Sequence, residues 1–188
     1  QGTTLDEKHK NNIDLEKNKI EQYKTASDKT NEDIKKEGSN LDKIVVRDSE
    51  ICWLFDKFLY DLLLPIIRKA NKKAGWNLDW EPVKQVQFTE YNKGGYYDWH
   101  RDSLDEPFKD GKIRKLSVTI NLNDDYEGGD MYFDNEIEYG KTNAIANKVG
   151  RPKGSINVFP SHIWHKVDKV TKGTRYSLVV WFKGDPVK

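Results

Sequence analysis

The feature that most constrains the fold is the β-type texture that begins after Gly75. Beyond that residue, aromatic and β-branched residues alternate with polar residues in short runs, and Gly, Asn and Asp separate the runs. This pattern is typical of short antiparallel strands joined by tight turns. It predicts about seven or eight strands. The clearest runs are residues 84–91, 96–102, 116–123, 131–133, 155–159, 165–170 and 175–182.

The segment before Gly75 has a helical pattern instead. Asp48 and Ser49 have side chains suited to cap the N-terminus of a helix, and apolar residues recur at helical spacing over residues 50–63. These apolar residues are Ile51, Leu54, Phe55, Phe58 and Leu62. Pro65 is expected to kink or restart the helix, and Gly75 is expected to end it.

Helices followed by short antiparallel strands predict a mainly β protein with flanking helices. The specific expectation is a double-sheet jelly roll with the N-terminal helices packed on one sheet. Charged residues and Asn dominate residues 1–44, where the spacing of Ile13, Ile20 and Tyr23 permits a helix with a thin apolar stripe. We therefore divide the chain of 188 residues into a charged helix and linker at 1–44 and one β domain with its support helices at 45–188.

The composition argues against several classes of function. The net charge is +1, so the chain has no overall basic field that would attract nucleic acid or a membrane surface. No apolar run is long enough to span a bilayer, and the first residues lack the pattern of a signal peptide. Cys52 is the single cysteine, which excludes an internal disulfide and a cysteine-based zinc cluster. A cytoplasmic protein without nucleic-acid or membrane partners is therefore expected.

One short motif could bind a metal. His100 and Asp102 are two residues apart in a predicted strand, where the period of two also places Asp98 on their face. Two imidazoles and one carboxylate are the ligand set of the facial triad that holds non-haem Fe(II). His165 is the favoured second histidine because it begins a β-type run, whereas His162 follows a turn. A surface histidine beside a carboxylate is the alternative interpretation.

The last predicted strand carries an arginine at an unusual place. One face of this strand presents Arg175, Ser177, Val179 and Trp181. An inward-facing arginine is costly to bury without a partner anion, and the Ser177 hydroxyl could bind the same oxygen atoms. An acidic ligand is therefore expected at this face, unless the strand is an edge strand with Arg175 in solvent.

Longer stretches of the chain resemble a known family. Residues 91–102 resemble the Tyr-x-x-Gly-x-x-Tyr-x-x-His-x-Asp segment of 2-oxoglutarate/Fe(II) oxygenases of the prolyl 4-hydroxylase-like group. Residues 114–123 and 126–130 look like the central strand of that group and its Gly-Gly turn, and residues 159–181 contain its closing segment. The similarity runs in order over about residues 45–183, and the joint pattern is far more specific than any of its pieces.

The resemblance implies a double-stranded β-helix with a metal site and a co-substrate site. By this resemblance, Fe(II) is held by His100, Asp102 and His165, and the far carboxylate of 2-oxoglutarate binds Arg175. The other residues expected in the co-substrate pocket are Tyr91, Thr119, Asn121, Met131 and Ser177. Those matched to positions near a bound prolyl substrate are Tyr97, Arg114 and Trp181, although core packing would also explain the two aromatic residues.

The implied reaction is the hydroxylation of an unactivated C–H bond, with release of succinate and carbon dioxide. The resemblance favours a prolyl residue of a peptide or protein as the substrate, dioxygen as the oxidant and ascorbate as the reductant. One alternative is a nucleic-acid oxygenase of the AlkB type, against which the near-neutral charge argues. The other is a non-catalytic jelly-roll binding module, which would require the loss of a metal ligand, yet all three are present.

Overall fold

The computed structural model describes residues 46–55, 57–103, 107–134, 147–148 and 152–186. The predicted helix and linker at residues 1–44 lie outside these residues, so that helix and the boundary at residue 45 stay predictions. No helix in the described part of the chain is long and apolar enough to cross a membrane.

The described residues form one helix and twelve strands. The helix is α1 (Lys57–Lys73). The strands are β1 (Arg47–Asp48), β2 (Glu50–Leu54), β3 (Glu81–Tyr91), β4 (Tyr96–His100), β5 (Ile113–Asn121), β6 (Glu127–Gly128), β7 (Met131–Asp134), β8 (Asn147–Lys148), β9 (Ile156–Pro160), β10 (Trp164–Val167), β11 (Val170–Lys172) and β12 (Arg175–Gly184).

Within the described residues, the longer strands form two antiparallel sheets, which we call the major and minor sheets. The major sheet has the order β2-β3-β12-β5-β9, and the minor sheet has the order β1-β4-β10-β7-β8. β11 and β6 form a separate two-stranded ribbon. Apart from the pairs β2-β3 and β7-β8, neighbours in each sheet are not consecutive in sequence. The chain therefore passes back and forth between the sheets, as in a double-stranded β-helix. This arrangement confirms the predicted jelly roll.

The major sheet is covered by α1 on one face. Leu63 and Ile67 of the helix are buried in the main hydrophobic core. The strand residues of this core are Val86, Leu116, Val118, Ile120, Leu178, Val180 and Phe182. They are the alternate residues of β3, β5 and β12, so the intervening residues of these strands point to the opposite face of the sheet. This packing confirms that helical structure covers one sheet.

The predicted helix at residues 50–63 is wrong over its first part. Residues 50–54 form β2, an edge strand of the major sheet that pairs with β3 from Glu50↔Glu90 to Leu54↔Val86. The spacing of the apolar residues fitted a helix, but pairing with β3 satisfies the backbone of β2 and divides its side chains between two faces. Trp53 borders a cavity, whereas Leu54 packs against the main core.

The end of α1 agrees with the sequence, but its middle does not. α1 runs through Pro65, which was expected to kink or restart it. Pro65 and Asp61 are exposed, so water can bind the Asp61 carbonyl that has lost its helical partner. Gly75 ends the helix as predicted, with a φ of 73°. Its N–H donates to Lys72 O at 3.1 Å, which is part of a Schellman motif.

Candidate metal centre

The minor sheet brings two histidines and one aspartate together. His100 is the last residue of β4, and it lies directly opposite His165 of β10. Asp102 Oδ1 lies 3.9 Å from His100 Nε2, and Asp102 Oδ2 lies 3.6 Å from His165 Nε2. The three ligand atoms all lie within 4.8 Å of one another, so one ion could contact all of them. His162, the less favoured histidine, is exposed in a turn.

Strand alternation, which was expected to position both His100 and Asp102, does not position Asp102. β4 ends at His100, so Asp102 lies beyond the strand, and Asp98 is exposed rather than turned toward the cluster. The Asp102 N–H donates to Ser161 O at 3.0 Å, and the Ser103 N–H donates to the same oxygen at 2.9 Å. A contact with the turn before β10 therefore positions Asp102, and strand alternation does not.

Each histidine is oriented by a backbone carbonyl. His100 Nδ1 lies 2.7 Å from Asp98 O, and His165 Nδ1 lies 3.0 Å from Ile163 O. Because a carbonyl oxygen only accepts hydrogen bonds, both Nδ1 atoms must carry a proton. In the neutral rings this leaves the lone pairs on the Nε2 atoms that face Asp102, which is the usual arrangement of metal-binding histidines.

The electrostatics of the cluster fit a divalent cation. Burial, with a contribution from His165, lowers the pKa of His100 to about 4, so its imidazole is neutral at physiological pH. Asp102 is 7% exposed, and its Oδ2 has no hydrogen-bond partner among the described residues. A buried carboxylate without a partner is costly, and a bound cation would satisfy it. The donor set and its environment therefore fit Fe(II).

The cluster borders a cavity of about 210 Å³ between the two sheets. Every residue predicted for the site except Asn121 lines this cavity. They are His100, Asp102, His165, Arg175, Tyr91, Thr119, Met131, Ser177, Tyr97, Arg114 and Trp181. One enclosed space thus brings together residues from β3, β4, β5, β7, β10 and β12, although a third of the sequence separates some of them.

Arg175 is buried in the cavity wall. It lies at the start of β12, the central strand of the major sheet, so the alternative of an edge strand in solvent is wrong. It is 5% exposed, and its Nη1 donates to Ser177 Oγ at 3.2 Å. Its guanidinium lies 5.3 Å from the centre of the Tyr91 ring, and burial raises the pKa of the Tyr91 hydroxyl. These groups offer several donors to an anion.

Asn121 does not have the position that the sequence suggested. Its Nδ2 donates to Asn123 O at 2.7 Å, and its Oδ1 accepts a hydrogen bond from the Tyr126 hydroxyl at 3.0 Å. The side chain therefore stabilises the connection between β5 and β6, and it does not line the cavity. Thr119, two residues earlier, does line it, and its hydroxyl donates to Met131 Sδ at 3.5 Å.

The residues matched to a substrate site lie around the metal ligands. The Tyr97 ring stacks on His100 with 3.5 Å between ring centres. The Arg114 guanidinium lies 4.1 Å from the centre of the Trp181 ring, and its Nη1 donates to Asp102 O at 3.4 Å. Burial lowers the pKa of Arg114, which shows that its positive charge is poorly solvated. Tyr97 and Trp181 therefore face the cavity as well as packing against their neighbours.

The sequence missed five residues of the cavity wall. They are Arg47, Trp53, Gln87, Val167 and Val179. Strand alternation could have found Gln87, which is in phase with Tyr91, as it placed Val179 on the face of Arg175. No comparable signal existed for Arg47 and Trp53, because the surrounding segment was expected to cap and form a helix.

The protein-family comparison matches the larger part of the described domain. Residues 86–183 match the model of the 2OG-Fe(II) oxygenase superfamily, which is more than half of the chain. The matched region contains β4, β10 and β12, and it therefore contains all three members of the His-Asp-His cluster and Arg175.

Curated relatives are similar over the same part of the chain. A PKHD-type hydroxylase of Hyphomonas neptunium is 35% identical over 104 residues, which are 53% of this chain and 43% of the relative. A PKHD-type hydroxylase of Prochlorococcus marinus is 33% identical over 103 residues, which are 54% of this chain and 42% of the relative. The match thus spans less than half the length of these relatives.

Solved structures of low sequence identity share the fold. A prolyl-4-hydroxylase of Pseudomonas putida has a TM-score of 0.56 and 20% identity, and the match covers 86% of this chain and 85% of that one. A Trichoplax adhaerens prolyl hydroxylase, solved with a peptide fragment of the hypoxia inducible factor oxygen degradation domain, has a TM-score of 0.57 and 20% identity. That match covers 76% of this chain and 66% of the other.

Proposed function

Because the chain belongs to the 2OG-Fe(II) oxygenase superfamily, we propose that it hydroxylates an unactivated C–H bond and converts 2-oxoglutarate and dioxygen to succinate and carbon dioxide. The observation that carries the proposal is the presence of His100, Asp102, His165 and a buried Arg175 on the walls of one cavity. A metal site and an anion site on the walls of one cavity suit a 2-oxo acid that binds both.

The metal would be held by the minor sheet. In the proposal, His100 Nε2, His165 Nε2 and one Asp102 oxygen are the protein ligands of Fe(II), because these atoms face one another and carry free lone pairs. When bound, Fe(II) would supply the activation of dioxygen, coupled to the decarboxylation of 2-oxoglutarate. The carbonyl oxygens of Asp98 and Ile163 hold the rings in place, so the ligands need little rearrangement to bind the ion.

The major sheet would hold the co-substrate. Arg175 would bind the far carboxylate of 2-oxoglutarate, and the hydroxyls of Ser177 and Tyr91 would donate to the same group. Burial raises the pKa of Tyr91, which keeps the hydroxyl protonated and able to donate. Thr119 and Met131 would line the side of the molecule. The enclosed wall would exclude water while the reaction proceeds.

The substrate proposed is a prolyl residue of a peptide or protein. The support is the structural similarity to prolyl hydroxylases, one of which was solved with a peptide fragment. Tyr97, Arg114 and Trp181 would contact the substrate, because they line the cavity next to the metal ligands. Ascorbate is the reductant we propose for keeping the iron ferrous.

The proposal is tested by turnover. The purified chain with Fe(II), ascorbate and 2-oxoglutarate is expected to release succinate when given a proline-containing peptide, and the peptide should gain the mass of one oxygen. His100→Ala should abolish both signals, whereas His162→Ala should preserve them because His162 is exposed outside the cluster. Equal activity of wild type and His100→Ala would overturn the metal assignment.

Two further experiments separate the alternatives. Oxidation of a methylated oligonucleotide, together with its binding in a gel-shift assay at moderate salt, would favour a nucleic-acid oxygenase. Failure to bind Fe(II) in titration calorimetry would favour a binding module without catalysis.

A further inference from the structure

The cavity wall carries more positive charge than the proposed ligands neutralise. Among the described residues, its charged side chains are Arg47, Arg114, Arg175 and Asp102, which give a net charge of +2 when the two histidines are neutral. Fe(II) adds two positive charges and 2-oxoglutarate adds two negative charges, so the loaded site keeps the same net charge of +2. Buried charge of one sign is unfavourable unless an anion accompanies it.

Among the described residues, the Asp102 carboxylate acts on Arg114, where its charge opposes the fall in pKa, but it forms no ion pair with these arginines. In the part of the chain that is described, no carboxylate lies within 4.0 Å of Arg47, Arg114 or Arg175. All three lie over aromatic rings instead, Arg47 at 4.7 Å from the centre of Tyr97, Arg114 at 4.1 Å from the centre of Trp181 and Arg175 at 5.3 Å from the centre of Tyr91. A ring satisfies part of the charge but leaves most of the N–H donors available.

Arg175 and Arg114 belong to different ends of the cavity. Arg175 and Trp181 are six positions apart in β12. At about 3.3 Å per residue, their Cα atoms are about 20 Å apart. Arg114 lies on the Trp181 ring. Arg175 therefore lies toward the end assigned to 2-oxoglutarate, and Arg114 lies toward the other end of β12.

Arg47 lies beside the metal ligands. It is opposite Tyr97 in the pairing of β1 with β4, and Tyr97 stacks on His100 at 3.5 Å. Its Nε donates to Ser49 Oγ at 2.6 Å, which orients the guanidinium. Arg47 also lies near the Tyr91 hydroxyl, where its charge opposes the rise in the pKa of that group. It lies outside residues 86–183, which match the family model.

An unsatisfied donor lies on the same side as Arg114. Trp181 is 6% exposed, and its Nε1 has no hydrogen-bond partner among the described residues. The Nε1 atom is itself buried, so it is the Trp181 ring that forms part of the cavity wall. Arg47 and Arg114 thus offer cationic donors around the metal centre.

We infer that Arg47 and Arg114 form a second anion-binding subsite, which takes a carboxylate of the primary substrate and holds it beside the metal centre. This inference rests on the proposed function, since it assigns a substrate class to the same site. The carboxylate would come from a free amino acid or chain terminus, or from an acidic side chain next to the oxidised residue.

The inference is tested by binding without turnover. The full chain is loaded with Mn(II) and 2-oxoglutarate in the absence of oxygen, and probe binding is measured by titration calorimetry. One probe pair is N-acetylproline and its amide, and a second is a peptide with an internal proline next to Glu or Gln. We expect a carboxylate to tighten binding by about 10- to 100-fold, the effect of a hydrogen-bonded charge. A preference in the first pair identifies a terminus, and one in the second identifies an acidic neighbour. Equal binding within both pairs would overturn the inference.

Variants separate this subsite from the co-substrate site. Arg47→Gln and Arg114→Gln should each reduce the preference for the carboxylate by about tenfold or more. Arg68→Gln is the matched control, because Arg68 lies over the Trp80 ring at 5.7 Å on exposed α1, away from the cavity. Thermal unfolding of each variant identifies any loss of fold. If Arg47→Gln instead weakens 2-oxoglutarate binding as much as Arg175→Ala does, Arg47 serves the co-substrate and the inference is wrong.

The two proposals fail in different ways. A chain that never consumes 2-oxoglutarate with Fe(II) would overturn the proposed hydroxylation, and the calorimetric preference for a carboxylate would still be measurable. A chain that turns over 2-oxoglutarate but binds acid and amide equally would retain the proposed function and lose the second subsite.

Discussion

The two sheets contribute to the site in different ways. The major sheet has long strands, with 11 residues in β3 and 10 in β12, and α1 packs on its outer face. The described strands of the minor sheet have two to five residues, and His100 and His165 belong to it. Pairing along a long strand fixes the face on which every side chain lies. In short strands, individual hydrogen bonds position the residues near the strand ends.

This difference suits the two tasks. A carboxylate anchor needs a buried cation at a fixed position. Arg175 is held at a fixed position because β12 is paired on both sides. A metal site needs three donors that converge on a point, and single backbone contacts to Ser161, Asp98 and Ile163 achieve this in the minor sheet. Substitutions in one sheet should therefore leave the binding function of the other sheet intact.

Loss of the Asp102 carboxylate should have the largest effect on metal binding by the minor sheet. Asp102→Asn is expected to weaken Fe(II) binding by more than about 100-fold, because loss of a direct ligand should exceed the effect of losing an outer hydrogen-bond partner. The metal-free variant should unfold at no lower temperature than wild type, since the buried Oδ2 has no hydrogen-bond partner among the described residues. Asp98→Asn is the control, because Asp98 is an exposed carboxylate of β4, four residues before Asp102. Titration calorimetry measures both, and unaltered affinity in Asp102→Asn would contradict the assignment.

Loss of the Arg175 anchor in the major sheet should weaken the binding of 2-oxoglutarate without changing the affinity for the metal. Arg175→Ala is expected to raise the dissociation constant for 2-oxoglutarate by about 30- to 100-fold, and Ser177→Ala by about 2- to 10-fold, because the first removes charge-assisted hydrogen bonds and the second removes a neutral one. Binding of Mn(II) in the absence of 2-oxoglutarate should be unchanged in both. A parallel loss of metal affinity would show that the two sheets do not act separately.

The sheets should also differ in their contribution to stability. Val118 is fully buried under α1, whereas Val167 borders the cavity. Val118→Ala is expected to lower the free energy of unfolding by about 2 kcal/mol, because it removes buried methyl groups and leaves a void. Val167→Ala should cost about 1 kcal/mol, because it only enlarges an existing cavity. Urea unfolding of the two variants measures the difference, and equal losses would show that the sheets are equally packed.

The smallest expected effect is a dependence on alkaline pH under the major sheet. Burial against this core raises the pKa of Tyr60 to about 12, above its usual value near 10. The folded state therefore holds this proton more tightly, so its contribution is present below about pH 10 and is lost as the pH rises toward about 12. Tyr60→Phe should flatten this decline in urea unfolding between pH 9 and 11. An identical decline in wild type and Tyr60→Phe would rule out Tyr60 as its source.

Most of the sequence-based predictions that succeeded depend on local periodicity. The face shared by Arg175, Ser177, Val179 and Trp181 was predicted correctly because a central strand of ten residues keeps a period of two throughout. The position of Gly75 was predicted because a helix that ends with a positive φ favours glycine there. Both are consequences of backbone geometry within a few residues.

The failures share a different cause. β2 was taken for a helix because its apolar spacing suits either structure, and only pairing with β3 decides between them. Asp102 was placed on a strand that ends before it, and its position depends on Ser161, far along the chain. Asn121 has the right strand phase, but its side chain accepts a hydrogen bond from Tyr126 and does not line the cavity.

The sequence by itself determined the donors and the order in which they occur, because a His-x-Asp pair, a distant histidine and an inward arginine are properties of residue type and spacing. It also determined the mainly β architecture, since alternation and turn residues act locally. Tertiary structure alone decided that Arg47 and Trp53 join the same cavity wall. Their positions depend on strand pairing between distant segments, which local sequence cannot encode because its energy comes from partners that only the folded chain brings together.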